Sequence, residues 1–277
     1  MAATRLPGKP LADINGALDE FAQLHHDSFG GDGYVSVEVA PSLAHDGPGT
    51  EAAARALHEQ IDRPNLMVKI PGTVEGLAAI RRMIAEGRNI NVTLIFSLDR
   101  YQQVMDAYID GLEEYAGTVD ADLAHVASVA SFFISRVDSE VDARLDAIGT
   151  PEALALRGKA AIAQAKLAYH AFRHTFSGAR WEALAADGAV VQRPLWASTS
   201  TKNPAYPDTL YVDELIGPDT VNTLPDATIE AFAHHGTSAR TIDEGVSHAE
   251  LVWRQLAEVG VDMDDVADKL ERDGVAS

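Results

Sequence analysis

The stretch LMVKIPGTVEGLAAIRRMIAEGRNINVTLIF, residues 66–96, decides the fold. Its two ends, residues 66–70 and 90–96, are short apolar runs of the length and composition typical of buried strands. Between them, residues 74–86 repeat apolar side chains at helical spacing. The stretch therefore predicts a strand, a crossover helix and a second strand that runs parallel to the first.

The same alternation extends in both directions from this unit. Upstream, helical spacing begins at about Leu11 and breaks at residues 28–31, before a Val-rich strand at residues 34–39. We predict further strands at residues 126–133, 190–197 and 220–224, and helices at residues 50–61, 98–115, 139–187, 227–235, 249–259 and 263–271. No linker divides the chain, so we expect one domain over residues 1–277, with residues 1–10 as a flexible N-terminal segment.

Strands that alternate with helices predict an α/β fold with a buried parallel sheet. A closed barrel and an open doubly wound sheet both fit this pattern. No strand is followed by GxGxxG or GxxxxGK[ST], which removes the most specific support for a nucleotide-binding sheet. We therefore favour a (β/α)8 TIM barrel. Such a barrel needs about eight strands, and about six are visible, so we expect it to be incomplete at its N-terminus.

Composition limits the classes of partner. The 277 residues include 42 acidic and 22 basic side chains, for a net charge of -20. This field repels nucleic acid and anionic membranes, whereas a few local cations can still bind a small anion at short range. Cys is absent, which excludes disulfides, thiolate nucleophiles and Cys-based metal sites. We see no signal peptide or apolar run of membrane length, and we expect a cytoplasmic protein.

Polar side chains share one face of four consecutive predicted strands. Because side chains alternate along a strand, each pair of residues two apart lies on the same face. The pairs are Ser36 with Glu38, Met67 with Lys69, Asn91 with Thr93, and Ser131 with Phe133. We expect them to converge in the lumen of the barrel near the carboxyl ends of the strands, where barrel enzymes place their chemistry.

This set of residues predicts Schiff-base catalysis. A desolvated Lys69 favours the neutral amine, which attacks a carbonyl. Glu38, directly or through a water that Thr93 helps to hold, is suited to moving protons between the intermediates. Such chemistry needs no cofactor and no metal, and His170 with His174 lacks a third ligand. The alternative is that Lys69 extends to solvent and Glu38 pairs with a neighbouring cation.

Five motifs follow one another along the chain in this order: SVEVAP, LMVKIPGT, NINVTLIFS, SVASFFISRVDSEVD and RPLWASTSTKNPAYPDTLY. From about Leu11 almost to the C-terminus the sequence resembles the transaldolases, especially the long type found in actinobacteria. The resemblance implies a class I (β/α)8 aldolase of the pentose phosphate pathway. It also implies transfer of a dihydroxyacetone unit from sedoheptulose 7-phosphate or fructose 6-phosphate to an aldose phosphate.

The resemblance assigns roles to residues around the predicted imine. Lys69 matches the Schiff-base lysine, and Glu38 matches the acid/base carboxylate beside a catalytic water. Thr93 matches the hydroxyl that orients this water. Asn91 matches an amide that contacts the substrate.

Further matches concern the substrate and its phosphate. The resemblance makes Ser131 a contact to a substrate hydroxyl, Arg136 a phosphate contact and Phe133 an aromatic wall. Ser198 matches another phosphate contact. Ser200 falls where many relatives carry Arg, and Lys202 is the candidate to supply that cation instead.

The sequence departs from the family pattern at its start. In the family, two βα units that carry a catalytic Asp and a TTNP motif precede the helix predicted from Leu11, and neither motif occurs here. Open edges of a parallel sheet predict a cover, whether a homo-oligomer, a partner chain, a separate fragment or rearranged helices. A misassigned start codon is the other explanation. Two further functions stay open: a non-catalytic or partner-dependent sugar-phosphate-binding protein, and a specialised Schiff-base aldolase with a different acceptor.

Overall fold

A computed structural model of the chain describes residues 6–277. The first helix begins at Gly8, three residues before the predicted start at Leu11. Just before it, the Leu6 backbone N–H donates to the Gln60 side-chain oxygen, and the Gln60 side-chain amide donates to the Leu6 carbonyl. The flexibility predicted for residues 1–10 stays a prediction, since residues 1–5 lie outside the described residues.

Six strands occur among the described residues, each close to a predicted one. They are β1 Val35–Glu38, β2 Leu66–Pro71, β3 Ile90–Ile95, β4 Ser128–Phe133, β5 Arg193–Ala197 and β6 Val221–Asn222. The α-helices are α1 Gly8–Asp27, α2 Gly47–Ile61, α3 Gly76–Ala85, α4 Leu98–Ala116, α5 Ser135–Ile148, α6 Pro151–Leu154, α7 Ala160–Thr175, α8 Ala179–Ala186, α9 Leu210–Asp213, α10 Asp226–His235, α11 Val246–Glu258 and α12 Met263–Ala276. Short 3-10 turns lie at Pro41–Leu43 and Leu123–His125.

The strands form one sheet in the order β1-β2-β3-β4-β5-β6, so that strands adjacent in the sequence are adjacent in the sheet. The registers of β1 with β2, β2 with β3 and β5 with β6 are parallel. Parallel strands in sequence order, joined by helices, are the arrangement of a (β/α)8 barrel, of which six strands are described here. The predicted α/β fold of TIM-barrel type is confirmed.

The chain divides into two compact units. Unit 1 comprises the chain up to Thr93 together with Gln103–Ala130 and Phe176–Gln192, and unit 2 comprises Leu94–Gln102, Ser131–Thr175 and Arg193–Ser277. The single domain expected from the sequence stays a prediction.

Each unit has an apolar core of its own. In unit 1, Val68 of β2 and Ile80 of α3 are fully buried. The core of unit 2 is aromatic: the Phe132 ring meets Tyr101 and Trp196 edge to face, with ring centroids 5.7 and 6.3 Å apart. Burial of these side chains fixes the strands whose opposite face carries the polar residues.

Candidate active site

Lys69 and Glu38 lie side by side on neighbouring strands of unit 1. They are direct register partners across β1 and β2. The Lys69 Nζ atom is 3.6 Å from Glu38 Oε2. The alternation predicted for β1 is present, because Val37 is buried while Ser36 and Glu38 are exposed. The Lys69 side chain is 27% exposed and that of Glu38 is 45% exposed. The amine is therefore only partly removed from water.

This pairing bears on how the amine becomes reactive. An ammonium group cannot attack a carbonyl until it loses a proton. A carboxylate oxygen at 3.6 Å forms an ion pair with this ammonium, and catalytic contacts of this kind tighten to hydrogen-bond distance once substrate is bound. Glu38 can thus take the proton from Lys69 and return it to a later intermediate. The sequence left open the alternative that Glu38 pairs with a neighbouring cation. In the structure Glu38 does form such a pair, and its cation is Lys69.

Asn91 and Thr93 continue the polar face onto β3. Asn91 is the register partner of Lys69, and Thr93 is that of Pro71. The Asn91 Nδ2 atom donates a hydrogen bond of 3.0 Å to Ser36 Oγ on β1. Since neighbouring strands are about 4.8 Å apart, a contact from β3 to β1 spans roughly twice that distance and requires this face to be concave. Side chains that point into a concave face converge, as the sequence predicted.

Arg136 and Phe133 form a second cluster, within unit 2. The Arg136 guanidinium carbon lies 5.0 Å from the centroid of the Phe133 ring. The Phe96 ring, with its centroid 5.1 Å from that of Phe133, supports the stack from the side. Ser131 is buried on the same strand as Phe133.

The electrostatics of this cluster favour an anion. α5 begins at Ser135, directly after β4, and places Arg136 in its first turn. The N-terminus of a helix carries partial positive charge and Arg136 adds a full charge beside it, so together they can attract an anion such as a phosphate group. The acidic side chain of this first turn, Asp138, is buried and accepts hydrogen bonds from Tyr211 and Ala161.

Ser198 joins this cluster through Ser135. The two hydroxyl oxygens are 3.0 Å apart, and the Ser135 backbone N–H donates to the Ser198 carbonyl over 3.0 Å. Ser198 adopts a left-handed backbone with φ of 57°, and Leu94 in β3 does so with φ of 59°. This conformation costs a non-glycine residue roughly 1–2 kcal/mol. Such strain is concentrated at functional sites in proteins, and no sequence pattern indicated it here.

Lys202 and Ser200 form a small group on the segment after β5. The Lys202 Nζ atom donates a 2.8 Å hydrogen bond to Ser200 Oγ. Lys202 is exposed and Ser200 is half-buried. A cation therefore stands next to the position at which the family resemblance expects an arginine.

Ser135 is a polar partner that the sequence-based site did not include, and Ser36 was predicted to lie on the polar face but was assigned no role. Ser36 accepts the hydrogen bond from Asn91, and Ser135 meets Ser198. A signal existed for both: Ser36 shares a strand face with Glu38, and Ser135 immediately precedes Arg136 in SFFISR.

Residues 6–277 contain no group of three or more His, Cys, Asp or Glu side chains placed to hold a metal ion. His170 and His174 are exposed on α7. Within the same residues, each helix is too short or too polar to span a bilayer.

Known proteins are similar to this chain over most of its length. A family model described as "Transaldolase/Fructose-6-phosphate aldolase" matches residues 10–277. The chain is 58% identical to a transaldolase of Parafrankia sp. (strain EAN1pec), over 95% of this chain and 72% of that protein. It is 56% identical to a transaldolase of Frankia alni, over 95% of this chain and 71% of that protein. It is 52% identical to transaldolase 1 of Streptomyces coelicolor, over 96% of this chain and 70% of that protein. The chain belongs to the transaldolase/fructose-6-phosphate aldolase family.

Proposed function

We propose that this chain is a transaldolase, a transferase that moves a dihydroxyacetone unit from a ketose phosphate to an aldose phosphate through an imine on Lys69. The observation that carries the imine is the contact of 3.6 Å between Lys69 Nζ and Glu38 Oε2 on a concave polar face. Relatives at 52–58% identity that are named transaldolases support the transfer reaction. The donor is sedoheptulose 7-phosphate or fructose 6-phosphate.

The reaction begins with the amine. Neutral Lys69 adds to the C2 ketone of the donor, and the carbinolamine loses water after a proton reaches its hydroxyl from Glu38. A base then removes the proton of the C4 hydroxyl. The C3–C4 electron pair moves into the imine, an enamine forms and the aldose phosphate leaves. Addition of the enamine to a second aldose phosphate and hydrolysis of the new imine release the product ketose.

Four other residues have roles in positioning the reactants. Thr93 orients the water that relays protons for Glu38, and the Asn91 amide binds a substrate hydroxyl. Ser131 supplies a further hydroxyl contact, and Phe133 forms an apolar wall. These roles place hydrogen-bond groups where charge develops, which lowers the barrier without a cofactor.

We assign the phosphate group of the substrate to the cationic cluster of unit 2. Arg136 offers a planar fork that binds two phosphate oxygens at once. Ser198 and Ser200 contribute hydroxyl groups, and Lys202 contributes a second cation. The start of α5 adds its own partial positive charge.

Trapping with borohydride tests the proposal. We expect incubation of the protein with fructose 6-phosphate and borohydride to leave a reduced dihydroxyacetone adduct on Lys69, detected by peptide mass spectrometry. Lys166 is the internal control, because it is even less exposed but its Nζ donates to the backbone carbonyls of Thr241 and Glu244 over 3.0 and 3.1 Å. An adduct on Lys166, or none on folded protein, would contradict the proposal.

The same samples separate the two other functions. Calorimetric binding of fructose 6-phosphate without turnover or adduct would favour a non-catalytic sugar-phosphate-binding protein. An adduct on Lys69 whose product is not a sugar phosphate, identified by mass spectrometry, would favour a specialised aldolase with a different acceptor.

We also propose a homo-oligomer or a partner chain, and a cytoplasmic location that suits pentose phosphate chemistry. The apolar Phe21 and Leu24 of α1 support a partner, because each is nearly half exposed. Sedimentation velocity over a range of concentrations should show a mass above 29.6 kDa. A single species of monomer mass at every concentration would contradict the homo-oligomer.

A further inference from the structure

Two hydrogen bonds between tyrosine and aspartate tie helix α5 to the β5 loop, defined here as residues 198–209, and to helix α9, which follows the loop. Near the end of the loop, the Tyr206 hydroxyl donates to Asp142 Oδ2 over 2.6 Å. Just after it, the Tyr211 hydroxyl donates to Asp138 Oδ2 over 2.7 Å. The two aspartates lie four residues apart, so they occupy successive turns on one face of the helix.

The other oxygen of each aspartate binds the backbone of a third segment. Asp142 Oδ1 accepts from the Gly158 N–H over 2.9 Å, and Asp138 Oδ1 accepts from the Ala161 N–H over 2.8 Å. Ala161 is in the first turn of α7. The Asp142 carboxylate therefore connects α5 to the segment just before α7 and to the β5 loop, and the Asp138 carboxylate connects α5 to α7 and to α9, which follows the loop.

Burial makes these connections strong. Asp138 is 2% exposed and Tyr211 is 1% exposed. Burial raises the pKa of Asp138 to about 6, although its two hydrogen bonds favour the charged form. Burial, with the nearby Asp138 carboxylate, also raises the pKa of Tyr211. Hydrogen bonds to a carboxylate are worth more where water cannot replace them.

The Tyr206 ring packs directly against the backbone at Gly158. Gly158 has a φ of 70°, and a Cβ atom built on it would lie 2.8 Å from Tyr206 Cζ. Only glycine therefore allows the ring to lie against this backbone while the hydroxyl reaches Asp142. The loop also closes on itself, because the Thr201 hydroxyl donates to the Pro207 carbonyl over 2.9 Å.

Helix α5 also carries Arg136, two residues before Asp138. We propose that Asp138 and Asp142, with their tyrosine partners, are positioning residues that hold the hydroxyl and amine groups of the β5 loop in register with Arg136 for phosphate binding. This inference rests on the proposed function. The loop residues it aligns are Ser198, Ser200 and Lys202.

Removal of the Tyr206 hydroxyl tests the inference with little change of shape. We expect Tyr206→Phe to raise KM for fructose 6-phosphate about 10-fold and to leave kcat within about twofold, because one hydrogen bond to a charged group is lost and the ring still packs on Gly158. The calorimetric Kd for inorganic phosphate should rise by a similar factor. A merely structural role would instead lower the folded fraction, and so kcat, at an unchanged KM.

Tyr115→Phe is the matched control. The Tyr115 hydroxyl accepts a 3.4 Å hydrogen bond from the Asp122 N–H in unit 1. Its ring also lies on a left-handed glycine, since a Cβ atom on Gly87 would be 2.9 Å from Tyr115 Cζ. We expect the KM and the phosphate Kd of this variant to match the wild type.

A second pair of variants protects the test against a failure to fold. Asp142→Asn keeps an oxygen that can accept one of the two hydrogen bonds, so its phosphate Kd should rise less than that of Asp142→Ala. A wild type without turnover would contradict the proposed function, while the phosphate comparison would still decide this inference. Equal phosphate Kd values for the wild type, Tyr206→Phe and Asp142→Asn, or no phosphate binding by any of them, would overturn it.

Discussion

Lys69→Met is expected to lower the rate of dihydroxyacetone transfer by roughly 10⁴-fold or more, the scale of loss when a covalent nucleophile is removed. A methionine side chain fills a similar volume but has no amine to condense with the ketone. Coupled-enzyme assays with fructose 6-phosphate and erythrose 4-phosphate measure the rate. Borohydride trapping on the same samples should give no adduct.

Lys69→Arg is the control for charge. An arginine keeps a cation beside Glu38, which faces Lys69 at 3.6 Å, but it forms no imine under these conditions. It should be as inactive as the methionine variant and should unfold at nearly the wild-type temperature. Substantial activity in either variant would show that Lys69 is not the nucleophile.

The second large effect concerns stability in acid. His58 lies buried in α2, and burial, with the positive charge of Arg88, lowers its pKa to about 4. In the unfolded chain the pKa is near 6.5. Between these two values the unfolded chain binds a proton that the folded chain does not. The free energy of unfolding should therefore be fully present above pH 6.5 and should fall by about 3 kcal/mol as the pH drops towards 4.

Asp138 acts in the opposite direction over an overlapping range. Its pKa is raised to about 6 in the folded protein, against 3.8 as the ordinary value. The folded chain then binds the extra proton, and acidification from pH 6 towards 4 favours folding. The wild-type profile is the sum of the two contributions, so the His58 effect must be measured as a difference between two proteins that share Asp138.

His58→Leu supplies that difference. Urea unfolding at pH values from 7 to 4 should show the wild type losing about 3 kcal/mol relative to the variant across this range. His170→Leu, at an exposed position of α7, should follow the wild type. Parallel profiles for the wild type and His58→Leu would mean that His58 binds its proton equally well in both states.

The parts of the fold that depend on periodicity were predicted well. β2 and β3 lie within one residue of the predicted boundaries, because their apolar runs are bounded by Pro71 and by polar turns. The strand predicted at residues 190–197 begins only at Arg193, and the one predicted at 220–224 shortens to Val221–Asn222. Ends of strands depend on pairing with a neighbour, and a single segment of sequence does not contain that information.

In the candidate site too, features that depend on strand periodicity were predicted, and features that depend on loop closure were not. Strand parity predicted that Glu38, Lys69 and Asn91 share a face, and their register confirms it. Their assigned roles, and those of Arg136 and Ser198, stay predictions. The contact of Ser135 with Ser198 depends on where loops close in space, and no local pattern indicates it. The left-handed backbone of Leu94 was equally unpredictable from the sequence, since leucine rarely adopts this conformation.

The strained backbone of Ser198 has a consequence for protein engineering. A left-handed Ser198 stores free energy that a glycine would release. Selection for thermal tolerance alone should therefore favour glycine at this position early, and the same change would remove a hydroxyl assigned to the substrate phosphate. Screens for heat resistance and for catalytic efficiency should thus diverge at this position.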